Sequence, residues 1–264
     1  MELHCICRYI SQENTQIKKS LDDFDIWLSG SPSEVIRFVH SVAPSERAIY
    51  HHIDFPAIDG VPVEVHYRPC YIQNPLHNHR LQHFFRQHAD GQFSHIVDMG
   101  GSAVAVPTSR FNAVYQLAHI YNHLFQEGIG LRQIIDYYFV ICNLQGTIYS
   151  CSSLQRELRH LGLWRIAGAV MYVLHEVLGL TEDKMIVPMN MKRGKMLLDE
   201  ILRAGNFGQY AKGHRWSKGR LGHNVQRLCR DARLALYYPG EALCEPIFRV
   251  RHFCWRLSVA LSRK

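Results

Sequence analysis

Two aspartates one residue apart, Asp23 and Asp25, are the residues in this chain whose types and spacing best predict chemistry. Side chains two residues apart on a strand point to the same face, so the pair would present two carboxylates together. Glu64 lies in a second alternating run about forty residues later. If the two runs are neighbouring strands, three carboxylates converge, and such oxygen ligands suit Mg²⁺. Two such ions can clamp an in-line phosphoryl or nucleotidyl displacement.

The alternative is that the aspartates are solvated turn or cap residues, which is where most such pairs occur. Their setting favours the metal site, because Asp25 leads directly into the apolar run Ile26-Trp27-Leu28. A solvated loop pair would not normally enter an apolar strand in this way.

Four blocks in order resemble the uncharacterised bacterial nucleotidyltransferases of the DNA-polymerase-β-like superfamily. The blocks are residues 23–27, 51–55, 63–69 and 128–136. The resemblance implies nucleotidyl transfer from a nucleoside triphosphate, ATP among them, to a hydroxyl acceptor that the sequence does not identify. It implies Mg²⁺ or Mn²⁺ as cofactor. It also implies that Asp23 and Asp25 are the metal-binding pair and that Glu64 is the third carboxylate, all three being catalytic.

One part of the superfamily pattern is missing. A Gly-Ser or Gly-Gly turn normally stands about ten residues before the aspartate pair, where backbone N–H groups cradle the triphosphate. Here the first glycine is Gly30, and Ser11 is the one plausible upstream hydroxyl for nucleotide binding. We therefore expect that the chain either begins downstream of the cradle or has lost it. In both cases, nucleotide binding should be weak and turnover slow.

The elements that must position these residues follow from periodicity and turn chemistry. We predict an α+β fold in which a small mixed sheet, residues 1–107, precedes an all-helical region, residues 108–264. Ser31, Pro32 and Glu34 have the spacing of a capping box. Strands are predicted at 24–28, 48–55, 61–67, 96–99 and 102–106, and alternation along the third run predicts that Glu64, His66 and Arg68 share one face. Helices are predicted after Ser31 and at 78–88, 109–127, 131–144, 152–161, 163–178, 191–204, 219–236 and 244–261, with a mobile connection at 205–219.

Two polar pairs in the helical region share helix faces. His119 and His123 are four residues apart on one helix, and Arg132 and Asp136 are four apart on the next. In the structural alternative they are hydrogen-bonded pairs that fix helix packing. In the functional alternative, Arg132 and His123 contact nucleotide phosphate or the acceptor, since arginine suits phosphate well.

Composition limits the other possibilities. A hydrophobic content of 47% and a charged content of 20% are typical of a globular protein, and no apolar run reaches transmembrane length. Eight cysteines without a Cys-x-x-Cys pair predict a reduced, cytoplasmic setting. Residues 191–264 carry a net charge of +11, whereas the preceding residues carry −4. This basic part is either a solvated face or a surface for a polyanion, and no recognised nucleic-acid-binding motif accompanies it.

Two other functions therefore remain beside nucleotidyl transfer. A member without the cradle can bind nucleotide or a partner without catalysis. A basic protein can bind nucleic acid with no enzymatic role, and its binding would then fall steeply with salt.

Overall fold

A computed structural model describes residues 24–98, 100–126, 128–144, 151–204 and 220–261. The fold is α+β, as predicted, with a small mixed sheet in the N-terminal region and helices after it. The strands are β1 Phe24–Trp27, β2 His52–Ile58, β3 Val61–His66, β4 Ile96–Asp98 and β5 Ala103–Ala105. The helices are α1 Pro32–Val42, α2 Pro75–Phe93, α3 Ser109–Gln126, α4 Leu131–Leu144, α5 Cys151–His160, α6 Trp164–Leu178, α7 Met191–Ala204, α8 Arg220–Ala235, α9 Pro239–Ala242 and α10 Glu245–Leu261. A short 3₁₀ helix spans Glu182–Lys184.

Contacts within the described chain divide it into two compact units. The first contains the residues up to Tyr71, Gln82–Phe111 and the residues from Val250 onward. The second contains Ile72–Leu81 and Asn112–Arg249. The domain boundary predicted between residues 107 and 108 stays a prediction.

The first unit contains a three-stranded sheet in the order β1-β3-β2. β1 runs parallel to the central strand β3, and β2 runs antiparallel to it. The hairpin turn between β2 and β3 is formed by Asp59 and Gly60, both with positive φ, as an Asp-Gly turn of the primed type requires. A separate two-stranded hairpin joins β4 to β5.

One face of the three-stranded sheet is apolar and packs on α1. Val65 and Ile53 are buried there with Val35 and Val39 of the helix, and Trp255 of α10 also packs against this cluster. The predicted capping box begins α1: the Ser31 hydroxyl accepts from the Glu34 backbone N–H, and the Glu34 carboxylate accepts from the Ser31 backbone N–H. Because one face is fully used by the core, the polar side chains of the strands must lie on the other face.

The structure corrects the predicted bounds of two strands. β2 begins at His52 rather than at residue 48 and continues to Ile58. β3 ends at His66, so Arg68 does not share the face of Glu64 as predicted; its guanidinium lies 4.5 Å from the centre of the Tyr50 ring.

α2 is longer at both ends than the predicted residues 78–88. The Asn74 side-chain oxygen accepts from the backbone N–H groups of Leu76 and His77, which starts the helix at Pro75.

The second unit is helical. The helices predicted from residue 109 onward agree with the structure within one residue, whereas α9 and the short 3₁₀ helix were not predicted. α6 is buried on all sides from Ile166 to Leu174. α7 approaches it closely at Gly194, where an added Cβ would lie 2.3 Å from the Tyr172 side chain. The predicted connection at 205–219 lies outside the described residues. Among the described helices, none is long and apolar enough to cross a membrane.

Candidate active site

The polar face of the three-stranded sheet carries two rows of functional side chains. In the first row, Glu64 of β3 is the direct cross-strand partner of both Asp25 on β1 and Asp54 on β2. In the second row, His66 is paired with Trp27 on one side and His52 on the other. Directly paired residues point to the same face, so the sheet register itself brings carboxylates and imidazoles together.

His66 joins two of the carboxylates. Its Nε2 lies 3.2 Å from Asp25 Oδ1 and 3.3 Å from Glu64 Oε2, and its Nδ1 lies 3.3 Å from the carbonyl oxygen of Arg68. His66 is 3% exposed and Asp25 is 6% exposed. Both ring nitrogens face acceptors, which is the arrangement of a doubly protonated imidazolium.

His52 contacts the same glutamate from the neighbouring strand β2. Its Nδ1 lies 2.9 Å from Glu64 Oε2 and 3.2 Å from the Nε2 of His51. Its Nε2 lies 3.4 Å from Asp54 Oδ1. Glu64 Oε2 is therefore flanked by two imidazoles, and its side chain keeps 29% of its surface exposed.

The histidines set the charge state of this face. Burial raises the pKa of Glu64, but hydrogen bonds from His52 and His66 outweigh it and hold that pKa well below its usual range. Burial lowers the pKa of His66, but the hydrogen bonds to Asp25 and Glu64 outweigh it and raise that pKa to about 10. Without metal, the imidazolium of His66 neutralises part of the carboxylate charge.

Aromatic side chains flank the site at β1. Trp27 packs on Phe93 of α2 and Phe111 of α3, with ring centres 4.8 and 5.9 Å apart. Trp27 is the cross-strand neighbour of His66. The second row of the face thus ends at a packed aromatic cluster.

The donor atoms are close enough to share a cation. Single ligand atoms of Asp25, Glu64 and His66 all lie within 4.8 Å of one another, as do those of His52, Asp54 and Glu64, and those of His51, His52 and His66. Carboxylate oxygens bind Mg²⁺ and Mn²⁺, and imidazole nitrogens bind transition metals. The residues present therefore fit a divalent metal ion.

The sequence-predicted site residues are divided between the two units and the undescribed part of the chain. Asp25 and Glu64 lie side by side in the first unit. Asp23 and Ser11 lie outside the described residues. His123 and Arg132 belong to the second unit, and their predicted contact with nucleotide stays a prediction.

The helical block at 128–136 has a local structural role for some of its residues. The backbone N–H of Gly130 donates to Gln133 Oε1 at 3.0 Å, which satisfies a group at the start of α4. His119 and His123 share one face of α3, as predicted, with their Nε2 atoms 2.5 Å apart.

Sequence reasoning assigned no metal-binding role to His52 and His66. Alternation placed His66 on the face of Glu64, and the same rule applied to β2 places His52 beside Asp54. The missing information was the register between β2 and β3, because only that register brings both imidazoles to one glutamate.

Comparison with known proteins identifies a family. A sequence model described as an uncharacterised nucleotidyltransferase matches residues 28–179, more than half of the chain. The matched range includes His52, Glu64, His66 and Arg132, and it begins three residues after Asp25. No curated protein and no solved structure matches the chain significantly.

Proposed function

Because the chain belongs to the uncharacterised nucleotidyltransferase family, we propose that it transfers a nucleoside monophosphate from a nucleoside triphosphate to a hydroxyl acceptor. The observation that carries the proposal is the direct cross-strand pairing of Asp25 with Glu64 on the polar face of the sheet. The family match supports the reaction class, and the carboxylate pair supports metal-assisted phosphate chemistry.

Asp25 and Glu64 would hold the divalent metal ions, and Asp23, which lies outside the described residues, is proposed as the third carboxylate. The metal, Mg²⁺ or Mn²⁺, neutralises phosphate charge and polarises the acceptor oxygen when bound. The acceptor oxygen forms a bond to the α-phosphorus, the bond to the β-phosphate oxygen breaks, and pyrophosphate leaves. The acceptor proton passes to a carboxylate or to water. Positioning and electrostatics do this work, so no protein nucleophile is needed.

Three further residues are proposed to hold the substrate. Ser11 would donate to the triphosphate in place of the missing glycine turn. Arg132 and His123 would contact phosphate or the acceptor, and arginine would do so through its planar fork. An Arg132→Lys protein that folds normally but binds nucleotide more weakly would support this role, whereas unchanged nucleotide affinity would contradict it.

A second candidate is a member of the family that binds nucleotide or a partner without catalysis. The observation that favours it is the internal neutralisation of Asp25 by the buried His66. A carboxylate already paired with an imidazolium resembles a structural ion pair, which needs no metal.

The two candidates are separated by measuring nucleotide binding and transfer on the same protein. Isothermal calorimetry with a non-hydrolysable nucleoside triphosphate and Mg²⁺ or Mn²⁺ measures binding without an acceptor. Radiolabel transfer from each α-labelled triphosphate, with pyrophosphate release, measures catalysis with sugar, antibiotic, protein and RNA acceptors.

We expect metal-dependent nucleotide binding that Glu64→Gln abolishes and Asp90→Asn, at an exposed position of α2, leaves intact. Binding without transfer on any acceptor would favour the non-catalytic member. Absence of metal-dependent nucleotide binding would contradict the transferase and leave the non-catalytic member.

A further inference from the structure

We propose that His66 and His52 are metal ligands, and that this face selects a first-row transition-metal ion of the Mn²⁺ to Zn²⁺ series rather than Mg²⁺. The role of that ion in catalysis rests on the proposed function, but its binding does not. The proposal adds two nitrogen donors to a site that carboxylates alone would otherwise define. It follows from the spacing, orientation, burial and chemistry of the described side chains.

The spacing of the donor atoms matches the edges of a coordination sphere. Glu64 Oε2 lies 2.9 Å from His52 Nδ1 and 3.3 Å from His66 Nε2, and His66 Nε2 lies 3.2 Å from Asp25 Oδ1. Metal–ligand bonds of about 2.0–2.1 Å put neighbouring ligands about 3.3 Å apart in a tetrahedron and about 3.0 Å apart in an octahedron. The observed separations therefore require only small side-chain movements to admit an ion.

The orientation of each imidazole is already that of a metal ligand. A ligating histidine usually donates its other ring N–H to a carbonyl or carboxylate, which fixes the tautomer. His66 directs Nδ1 to the carbonyl of Arg68 and Nε2 to the carboxylates. His52 directs Nε2 towards Asp54 and Nδ1 to Glu64. Each ring thus directs one nitrogen at Glu64 Oε2 and the other at a second acceptor.

Burial holds the donor side chains in place, and the site is open to solvent at Glu64. His66, Asp25 and His52 are each less than a tenth exposed, and Glu64 is the partly exposed member through which an ion can enter. Ligands held by packing keep their geometry without a metal, so less conformational entropy is lost when it binds.

The donor types then decide which ion is preferred. Mg²⁺ takes oxygen ligands and keeps several waters, whereas imidazole suits zinc and its neighbours in the first transition row. The two groups that share Glu64 each add one imidazole nitrogen to carboxylate oxygens, from His66 beside Asp25 and from His52 beside Asp54. This donor type discriminates against Mg²⁺. The alternative is a purely structural cluster in which the histidines are hydrogen-bond partners of the carboxylates and bind no ion.

The test compares metal binding by the wild-type protein and by two variants that each lack one proposed ligand nitrogen, after bound metal has been removed with a chelator. His66→Asn removes Nε2 but keeps a side-chain amide near the Nδ1 position, and His52→Gln removes Nδ1 but keeps an amide near the Nε2 position. His83→Asn, at an exposed position of α2, is the matched control. Equilibrium dialysis with elemental analysis gives affinities for Mg²⁺, Mn²⁺ and Zn²⁺. The visible spectrum of the Co²⁺-loaded protein reports nitrogen ligation.

We expect the wild type and the control to bind Zn²⁺ or Mn²⁺ at least roughly a hundredfold more tightly than Mg²⁺, and each ligand variant to lose roughly tenfold or more in that affinity. Because a variant can misfold, imidazole ¹⁵N shifts of the wild type on Zn²⁺ addition provide a second reading. They should change at Nε2 of His66 and at Nδ1 of His52. Equal affinity in the ligand variants, unchanged imidazole shifts, or no metal binding would overturn the proposal.

The same measurements separate the failure of this proposal from failure of the proposed function. Histidine-dependent metal binding without any nucleotide binding would remove the function and leave the metal site. Nucleotide transfer supported equally by Mg²⁺ in the wild type and in both histidine variants would remove the metal proposal and leave the function.

Discussion

The ion pair between Asp25 and His66 is open to a double-mutant cycle in the metal-free protein. Asp25→Asn removes the carboxylate charge 3.2 Å from Nε2, and His66→Asn removes the imidazole. Leaving a buried charge with no partner costs about 3–5 kcal/mol. Glu64 Oε2 remains 3.3 Å from the same nitrogen, so we expect a smaller coupling, close to the 1.5–3 kcal/mol typical of a hydrogen bond to a charged group.

The assay is urea denaturation of the wild type, both single variants and the double variant at pH 7 in the presence of a chelator. Asp54→Asn is the matched control, because that side chain lies on the same face but is 50% exposed, and its coupling to His66 should stay below about 1 kcal/mol. A coupling energy between Asp25 and His66 within about 0.5 kcal/mol of zero would refute the reasoning, since independent sites add to within that margin.

Three further results are expected. The raised pKa of His66 stabilises the metal-free fold; this contribution is complete below the ordinary histidine pKa of 6.5 and is lost as the pH rises towards 10. Over that range, the free energy of unfolding measured in urea should fall by a few kcal/mol in the wild type and by less in His66→Asn. Gly194→Ala should cost about 1–3 kcal/mol by thermal unfolding because its Cβ would meet Tyr172, whereas Gly91→Ala, with open space in a helix, should stabilise by about 0.5–1 kcal/mol; equal effects would contradict the close approach of α6 and α7. Ser31→Ala should cost about 1 kcal/mol by loss of the helix cap, and an unchanged melting temperature would show that the cap contributes nothing.

The helices could be predicted closely because their information is local. The bounds of α7, residues 191–204, follow from the apolar period and match the structure. α2 was underestimated because the cap provided by Asn74 stands upstream of the periodic run, so the helix starts before its apolar pattern does.

β2 could be placed only approximately. The run through Pro56 to Ile58 is possible because β2 is an edge strand, where a missing N–H breaks no ladder on the open side. The start at His52 depends on pairing with His66, a contact between residues that are distant in sequence.

Only part of the candidate site could be predicted from the sequence. Alternation within β3 put Glu64 and His66 on one face, and this part needed no knowledge of other strands. That the strands of Asp25 and Glu64 are neighbours was an assumption at the level of sequence, and their register is set by which residues the core buries. The convergence of His52 and His66 on one glutamate oxygen required the register between β2 and β3, which joins residues distant in sequence.

The most direct measurement of the central claim is anomalous diffraction at the manganese edge from crystals soaked with Mn²⁺ and a non-hydrolysable nucleoside triphosphate. We expect an anomalous peak within bonding distance of the carboxylates of Asp25 and Glu64, with a phosphate oxygen of the nucleotide on the same ion. A nucleotide bound elsewhere, or a polar face that stays free of manganese while Asp25 keeps its contact with His66, would contradict a metal-assisted nucleotidyl transfer at this site.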